Sequence, residues 1–340
     1  MVETSRQWLI NGHPRGRELR ADDFRLVEAQ VRAPGPGEAL VRTLYLSFDP
    51  AMKGWMENIG GYSAGMEIGD VMRARGVGEV VASSDAALRP GDLVLGSLGW
   101  QDYATLPVQE LEPLPQDGLV TEHLGVLGMT GLTAYFGLKK IGRPFPGETV
   151  VVTGAAGATG SVAGQIAKLA GCRVIGVAGG EAKRRWLVDE LGFDGAVDYK
   201  QGSVRRQLRG LAPDGIDVVW DNVGGPILND LLALIATGAR VVICGGIARY
   251  EATLLPPGPE HYFNLVFRRG TMQGFIVSDY ADEFPVARAR LAAWVRDGRL
   301  KHREDVQTGL EHAPATLMRL FKGENLGKQI LQVAARGGKV

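Results

Sequence analysis

Up to about residue 120, the apolar positions fall in short runs, ALVRTLYLSF, VGEVVASS, DLVLGSLGW and YATLPV, parted by the Pro-Gly turns APGPGE and RPGD. Short runs without a sustained helical period predict a small barrel or sandwich. The period changes near residue 121, where TEHLGVLGMTGLTAYFGLKK spaces its apolar residues as a helix does and closes on two lysines. From Val150 onward, strand and helix patterns alternate: TVVVTG, SVAGQIAKLAG, RVIGVAG, AKRRWLVDELG, GAVDY, VRRQLRGL, IDVVWDNVG, ILNDLLALIATG and ARVVICGG. Near-continuous Val and Ile strands between helices predict a parallel sheet covered on both faces. After Gly246 the alternation fades. ARYEATLLPPGPEHY reads as a Pro-rich loop, TMQGFIVSDY as a strand and FPVARARLAAWVRDGRL as a helix. The remaining KHREDVQTGLEHAPATLMRLFKGENLGKQILQV reads as a strand, a helix and a closing strand returning to the first domain. The expectation is a β-rich domain split around an inserted α/β domain.

The first β/α turn carries the chemistry. AAGATG nearly matches G-x-G-x-x-G, with Ala155 in place of the first Gly. In a strand–turn–helix unit, Gly157 lets the backbone approach a pyrophosphate and Gly160 lets the helix pack tightly on the strand. Free N–H groups and the positive helix end then face the phosphates. Ala155 is tolerable if the turn keeps its φ negative. An NAD-type site places an acid at the end of the second strand, but RVIGVAGG ends in Ala178, Gly179 and Gly180. Glu181 comes slightly late, Lys183, Arg184 and Arg185 follow, and Tyr199 in VDYK can approach the adenine side and donate to a phosphate. The missing acid favours NADP.

Composition narrows the classes. A chain of 340 residues, 45% hydrophobic and 22% charged, fits an ordinary two-domain globular protein. Lys plus Arg and Asp plus Glu balance at 38 each, which argues against nucleic acid or an anionic membrane as partner. Cys172 and Cys244 are too few for a disulfide framework or a four-thiolate zinc site. His13, His123, His261, His302 and His312 show no ligand spacing, so no metal is expected. With no apolar leader in MVETSRQWLING and no long apolar run, the expected location is cytoplasmic. Tyr135 and Lys139 satisfy Y-x-x-x-K, but a short-chain dehydrogenase carries that pair after its glycine motif. Here the pair precedes it, and Tyr135–Phe136 reads as core.

Together LYLSFDPAMKGWM, IGDVMRARGVGEVV, LGMTGLTAYFGL, AAGATGSVAGQIAKLAGC, LGFDGAVDYK, DNVGG, CGGIARY and KGENLGKQIL resemble the zinc-free branch of the medium-chain dehydrogenase/reductase superfamily. That branch holds prostaglandin reductases, plant double-bond reductases and bacterial curcumin reductase-like enzymes. The resemblance implies a doubly wound Rossmann sheet, residues 126–299, which binds NADPH. It would be inserted into a GroES-like, partly open barrel, residues 1–125 and 300–340, forming the other wall of a substrate cleft. Gly157, Ala158, Thr159 and Gly160 would line the pyrophosphate, and Lys183 and Tyr199 the 2′-phosphate. Thr130, Asn222 and the run Cys244, Gly245, Gly246 and Ile247 would also contact the cofactor. Phe275, Ile276 and Val277 would approach the nicotinamide from the other side, and Asn325 would close over it. Tyr250 would assist catalysis, with Asp49, Pro50 and Tyr262 beside it in the substrate pocket. The chain departs from relatives at Tyr250-Glu251, usually Y-N, and at Asp49-Pro50-Ala51-Met52-Lys53, usually DPYM(R).

The implied reaction reduces the C=C bond of an α,β-unsaturated aldehyde or ketone. The alternatives are a quinone oxidoreductase of the same superfamily and a non-catalytic NADPH-binding sensor. Exposed edge strands invite pairing, so a homodimer through the edge near 271–280 is expected.

Overall fold

The computed structural model describes residues 4–58, 64–116, 118–250, 252 and 257–337. The chain divides into two compact units, residues 1–125 with 304–340 and residues 126–303.

The first unit opens with an antiparallel hairpin, β1 (Thr4–Ile10) and β2 (Phe24–Gln30), in which Thr4 pairs with Gln30 and Ile10 with Phe24. The apolar pattern did not announce it, because TSRQWLI and FRLVEAQ are half polar, the first mostly half-buried and the second mostly exposed. The third strand, β3 (Glu38–Ser47), is almost wholly buried and serves as the spine. It pairs antiparallel with β4 (Gly76–Ser83), which pairs with β5 (Leu93–Gly96). The start of β3 also pairs with β6 (Tyr103–Pro107), while β7 (Glu112–Leu114) joins β5. Trp100 centres the core, its ring 5.1 Å from both Phe24 and Phe48, and Met52 and Met56 reach the same core from the helix Ala51–Glu57.

The second unit is a six-stranded parallel sheet. Its strands are β8 (Thr149–Thr153), β9 (Arg173–Ala178), β10 (Gly195–Asp198), β11 (Ile216–Asp221), β12 (Ile235–Ile243) and β13 (Thr271–Gly274). Their order, β10-β9-β8-β11-β12-β13, reverses direction at β8. A doubly wound sheet takes its ligand at that reversal, beyond the carboxyl ends of the strands. Val150, Val151 and Val152 have no exposed surface. Tyr135 is buried edge-on to Phe136 at 5.3 Å, with Lys139 Nζ 5.5 Å from its centroid, which makes the Y-x-x-x-K pair part of the packing.

Two boundaries differ from the sequence expectation. The helix expected over ILNDLLALIATG ends at Leu232, because Ile235 already pairs with Ile216 and begins β12. TMQGFIVSDY is a strand only to Gly274, whose partner Ile243 ends β12; with no neighbour left to pair, Val277–Glu283 turns into tight helical turns.

The chain then rejoins the first unit. β14 (Glu304–Thr308) lies parallel to β15 (Lys328–Gln332), and β15 pairs antiparallel with the end of β3, completing the order β14-β15-β3-β4-β5-β7. Among the described residues, no helix is long and apolar enough to cross a membrane.

Candidate cofactor and active site

The glycine turn leaves β8 through Gly154, whose φ of +57° takes the left-handed conformation. Ala155 is not among the residues with positive φ, which is why alanine is tolerated there, and its N–H donates to Val177 O of β9 at 3.1 Å. Gly157 is extended and caps the helix Ala158–Leu169. A Cβ at Gly160 would stand 2.4 Å from Gly154 O and 2.9 Å from Ala155 Cα, so only glycine lets the helix sit on this turn. The N–H groups of Ala158, Thr159 and Gly160 open a helix with no acid in its first turn, a suitable cradle for a diphosphate.

Toward the reversal of strand order, β8, β11 and β12 are tied by one network. Thr153 Oγ1 donates to Asp221 Oδ1 at 2.7 Å and accepts from Asn222 N–H at 2.8 Å. The amides of Val223 and Gly224 donate to the same carboxyl at 3.2 and 2.9 Å. Asn222 Nδ2 donates to Thr153 O at 2.6 Å, and Trp220 Nε1 donates to Asn222 Oδ1 at 3.2 Å. The amides of Cys244 and Gly245 donate to Asp221 O, and that of Ile247 to Asn222 O. The structure thus brings Asn222 and Cys244–Ile247 together, with Asn222 held by its neighbours. Phe275 joins through its ring, 6.2 Å from Trp220, and Ile276 and Val277 follow half-buried. Burial, only partly offset by the three donors, lifts the Asp221 carboxyl above its ordinary value.

At the opposite edge, β9 ends in Ala178 and the turn Gly179–Gly180, with half-buried Lys183 and Arg184 on the next helical turn. Glu181 is exposed and ion-paired with Arg185. A Cβ on Gly179 would lie 2.9 Å from the Tyr199 ring, so Tyr199 covers this turn.

The remaining expected residues are placed as follows. Thr130 is half-buried on the helix Met129–Phe136. Tyr250 is half-buried at the end of the short helix Ile247–Tyr250, and Glu251 lies outside the described residues. Tyr262 is exposed beside Phe263, on a segment that docks through Asn229 and Leu232 onto the helix Gly225–Leu232. In the first unit, Asp49 accepts from Ser47 Oγ at 2.8 Å and from the buried Lys328 Nζ at 2.5 Å, while Pro50 caps the helix Ala51–Glu57. Lys53 is fully buried, donating to Glu57 Oε1 at 2.5 Å and Pro14 O at 3.2 Å. The lysine of that departure therefore belongs to the interior. Asn325 Nδ2 donates to Gly327 O at 2.9 Å in the loop before β15.

Sequence reasoning passed over Asp198, Asp221 and Lys328. A signal was available for the first two: each is an acid ending an otherwise apolar β-run, in VDY and WDN.

Fold and site together define a dinucleotide-binding oxidoreductase architecture, and comparison with known proteins identifies which. A family described as the N-terminal domain of oxidoreductase matches residues 6–114, and one described as zinc-binding dehydrogenase matches residues 158–293. The NADPH-dependent curcumin reductase of Escherichia coli (strain K12) is 42% identical over 98% of both chains. The NADP(+)-dependent 2-alkenal reductase of Nicotiana tabacum is 36% identical over 96% of this chain and 95% of its own. CurA from Vibrio vulnificus in complex with NADPH superposes with a TM-score of 0.91 at 40% identity, over 97% of this chain and 99% of that one. The chain belongs to the medium-chain dehydrogenase/reductase superfamily, in the branch of curcumin, 2-alkenal and prostaglandin reductases.

The second family description invokes zinc. Among the described residues, no three His, Cys, Asp or Glu side chains gather as that ion needs. Cys172 is buried, with its thiol donating to Phe145 O, and Cys244 follows β12. The described residues do not fit zinc.

Proposed function

We propose that this protein is an NADPH-dependent reductase of carbon–carbon double bonds conjugated to a carbonyl, acting on small α,β-unsaturated aldehydes and ketones without a metal. The observation that carries the reading is the end of β9. Its turn bears no acid, the Glu181 that follows is exposed and ion-paired with Arg185, and half-buried Lys183 and Arg184 lie on the same helical turn. The names of the relatives, reductases of curcumin and of 2-alkenals, support the substrate class.

When bound, NADPH supplies hydride to the β-carbon of the alkene. The protein's residues do the rest. Gly157–Gly160 hold the diphosphate, and Lys183 and Tyr199 hold the 2′-phosphate. The Thr153–Asp221–Asn222 network fixes the backbone at Cys244–Ile247 beside the nicotinamide ribose, and Phe275–Val277 cover the ring. Thr130 completes the cofactor contacts within this unit. Tyr250 donates to the carbonyl oxygen as enolate charge develops, a contribution of a few kcal/mol, on the order of 3, for one well-placed donor. A phenol is protonated at neutral pH and can then pass its proton on, directly or through water.

The test is NADPH oxidation with enals, enones, alkenyl nitriles and quinones, with NADH in parallel. Enals and enones should give the highest kcat/KM. Preference for quinones would reassign the substrate, and preference for NADH would remove the role of Lys183. A Tyr250→Phe enzyme should lose kcat; full retention would exclude the acid role.

The protein also pairs with a second copy through β13. This edge strand is exposed throughout, and Phe263, Val266, Phe267 and Met272 beside or on it are exposed as well. Light scattering should report twice the chain mass at micromolar concentration, and Met272→Lys should halve it.

A further inference from the structure

The missing acid of β9 has a counterpart one strand away. Asp198, the last residue of β10, pairs directly across from Ala178, the last residue of β9. Its side chain is buried, and both carboxyl oxygens are taken by backbone. Oδ2 accepts from Gly180 N–H at 3.0 Å, and Oδ1 from Lys200 N–H at 2.9 Å. Gln207 braces the same residue, its Nε2 donating to Asp198 O at 3.0 Å. Each oxygen keeps a second lone pair, but the carboxyl is buried against the backbone of the turn rather than exposed at the strand end, where an NAD-type acid meets the ribose diol. Its charge nevertheless stands close to where a 2′-phosphate would arrive and would repel it unless a cation intervened. Arg184 supplies that cation. Its Nε lies 4.0 Å from Asp198 Oδ2, beyond hydrogen-bond reach, and is buried with no hydrogen-bond partner.

We propose that Arg184 and Asp198 form a selectivity pair. Asp198 is a positioning residue that fixes the Gly179–Gly180 turn, and Arg184 is a second cation for the 2′-phosphate, its Nε turned toward Asp198 and the partly exposed rest of its guanidinium left to face the phosphate and shield it from Asp198. The proposal rests on the NADPH reading and deepens it. Lys183 contributes a compact charge, whereas the guanidinium adds directional donors suited to phosphate oxygens.

The test uses the full chain and reads binding without turnover. Calorimetry would compare 2′,5′-ADP with 5′-AMP on wild type, Arg184→Gln and Asp198→Asn, with amide hydrogen exchange followed across residues 178–182. Arg184→Gln should weaken 2′,5′-ADP roughly ten- to a hundredfold, the value of one charge-assisted hydrogen bond, and leave 5′-AMP unchanged. Asp198→Asn puts an N–H against one of the two backbone donors. It should speed exchange at Gly180 and reduce discrimination while Arg184 is intact. If wild type discriminates but Arg184→Gln discriminates equally well, the pair is refuted and Lys183 alone carries selectivity. If wild type binds both fragments alike, the NADPH reading itself fails, and the pair with it. Unchanged exchange at Gly180 in Asp198→Asn would remove the positioning role.

Discussion

Replacing Gly160 with alanine separates steric fit from helix propensity. In an open helix interior this change is favourable by about 1 kcal/mol. Here the new Cβ would stand 2.4 Å from Gly154 O and 3.0 Å from Gly154 C, both backbone atoms that no side-chain rotation can move. The turn and helix must separate by roughly 1 Å to restore ordinary contact, at an overpacking cost of about 1–3 kcal/mol. Gly154 belongs to the turn proposed to hold the diphosphate, so the same displacement would pull the N–H groups of residues 158–160 off the phosphates. Losing one charge-assisted hydrogen bond weakens NADPH roughly ten- to a hundredfold. Unfolding of the Rossmann unit should shift down by about 2–8 °C. Two further variants frame the measurement. Gly157→Ala places its Cβ 3.2 Å from Gly154 O, a contact that yields by a few tenths of an ångström, so the fold should persist while NADPH binding falls. Gly210→Ala meets nothing within 4 Å and should raise stability without touching binding. Thermal unfolding with equilibrium NADPH titration by tryptophan fluorescence checks all three. A Gly160→Ala protein with wild-type midpoint and affinity would refute the close-approach argument.

Asp221→Ala strips the partner from Thr153, Val223 and Gly224 and should cost about 2–5 kcal/mol in urea unfolding. Because burial holds its carboxyl high, wild-type stability from this group is present at acid pH and lost as pH rises through the raised value; the variant should lack that slope. Arg240 donates to Glu148 Oε1 at 2.9 Å and to Gly142 O at 3.0 Å, so Arg240→Leu should cost about 2–3 kcal/mol after allowance for partial exposure. Burial pushes Glu148 up, but the hydrogen bonds from Arg240 and from the Phe145 amide, together with the Arg240 charge, outweigh it and hold its carboxyl below the ordinary value. The stability gap should be full above the unfolded value of about 4.3 and close as pH falls below it; a gap independent of pH would show that the pair is not the cause. Burial lifts the Cys172 thiol to about 11 and the half-buried Cys244 thiol to about 12. Native protein should therefore leave a thiol reagent unconsumed at pH 8, and denatured protein should consume it at both.

By itself the sequence determined the α/β alternation, the inserted Rossmann unit and the glycine turn, because strand and helix periods and the small residues of a close approach are local properties. It also carried the family, through motifs spread along nearly the whole chain. Tertiary structure decided what depends on a neighbour. β1 and β2 exist through mutual pairing of half-polar segments, which leave no apolar period to read. β13 stops at Gly274 because β12 stops at Ile243, and the helix at Leu232 yields because Ile235 finds Ile216. Lys53 looks like a surface charge until Glu57 and the Pro14 carbonyl enclose it. The same holds at the cofactor turn. The end of β9 reads as acid-free, yet the fold brings Asp198 opposite Ala178 and satisfies it with backbone N–H groups. Strand order is set by packing between segments distant in sequence, and only that order decides which charges share the turn.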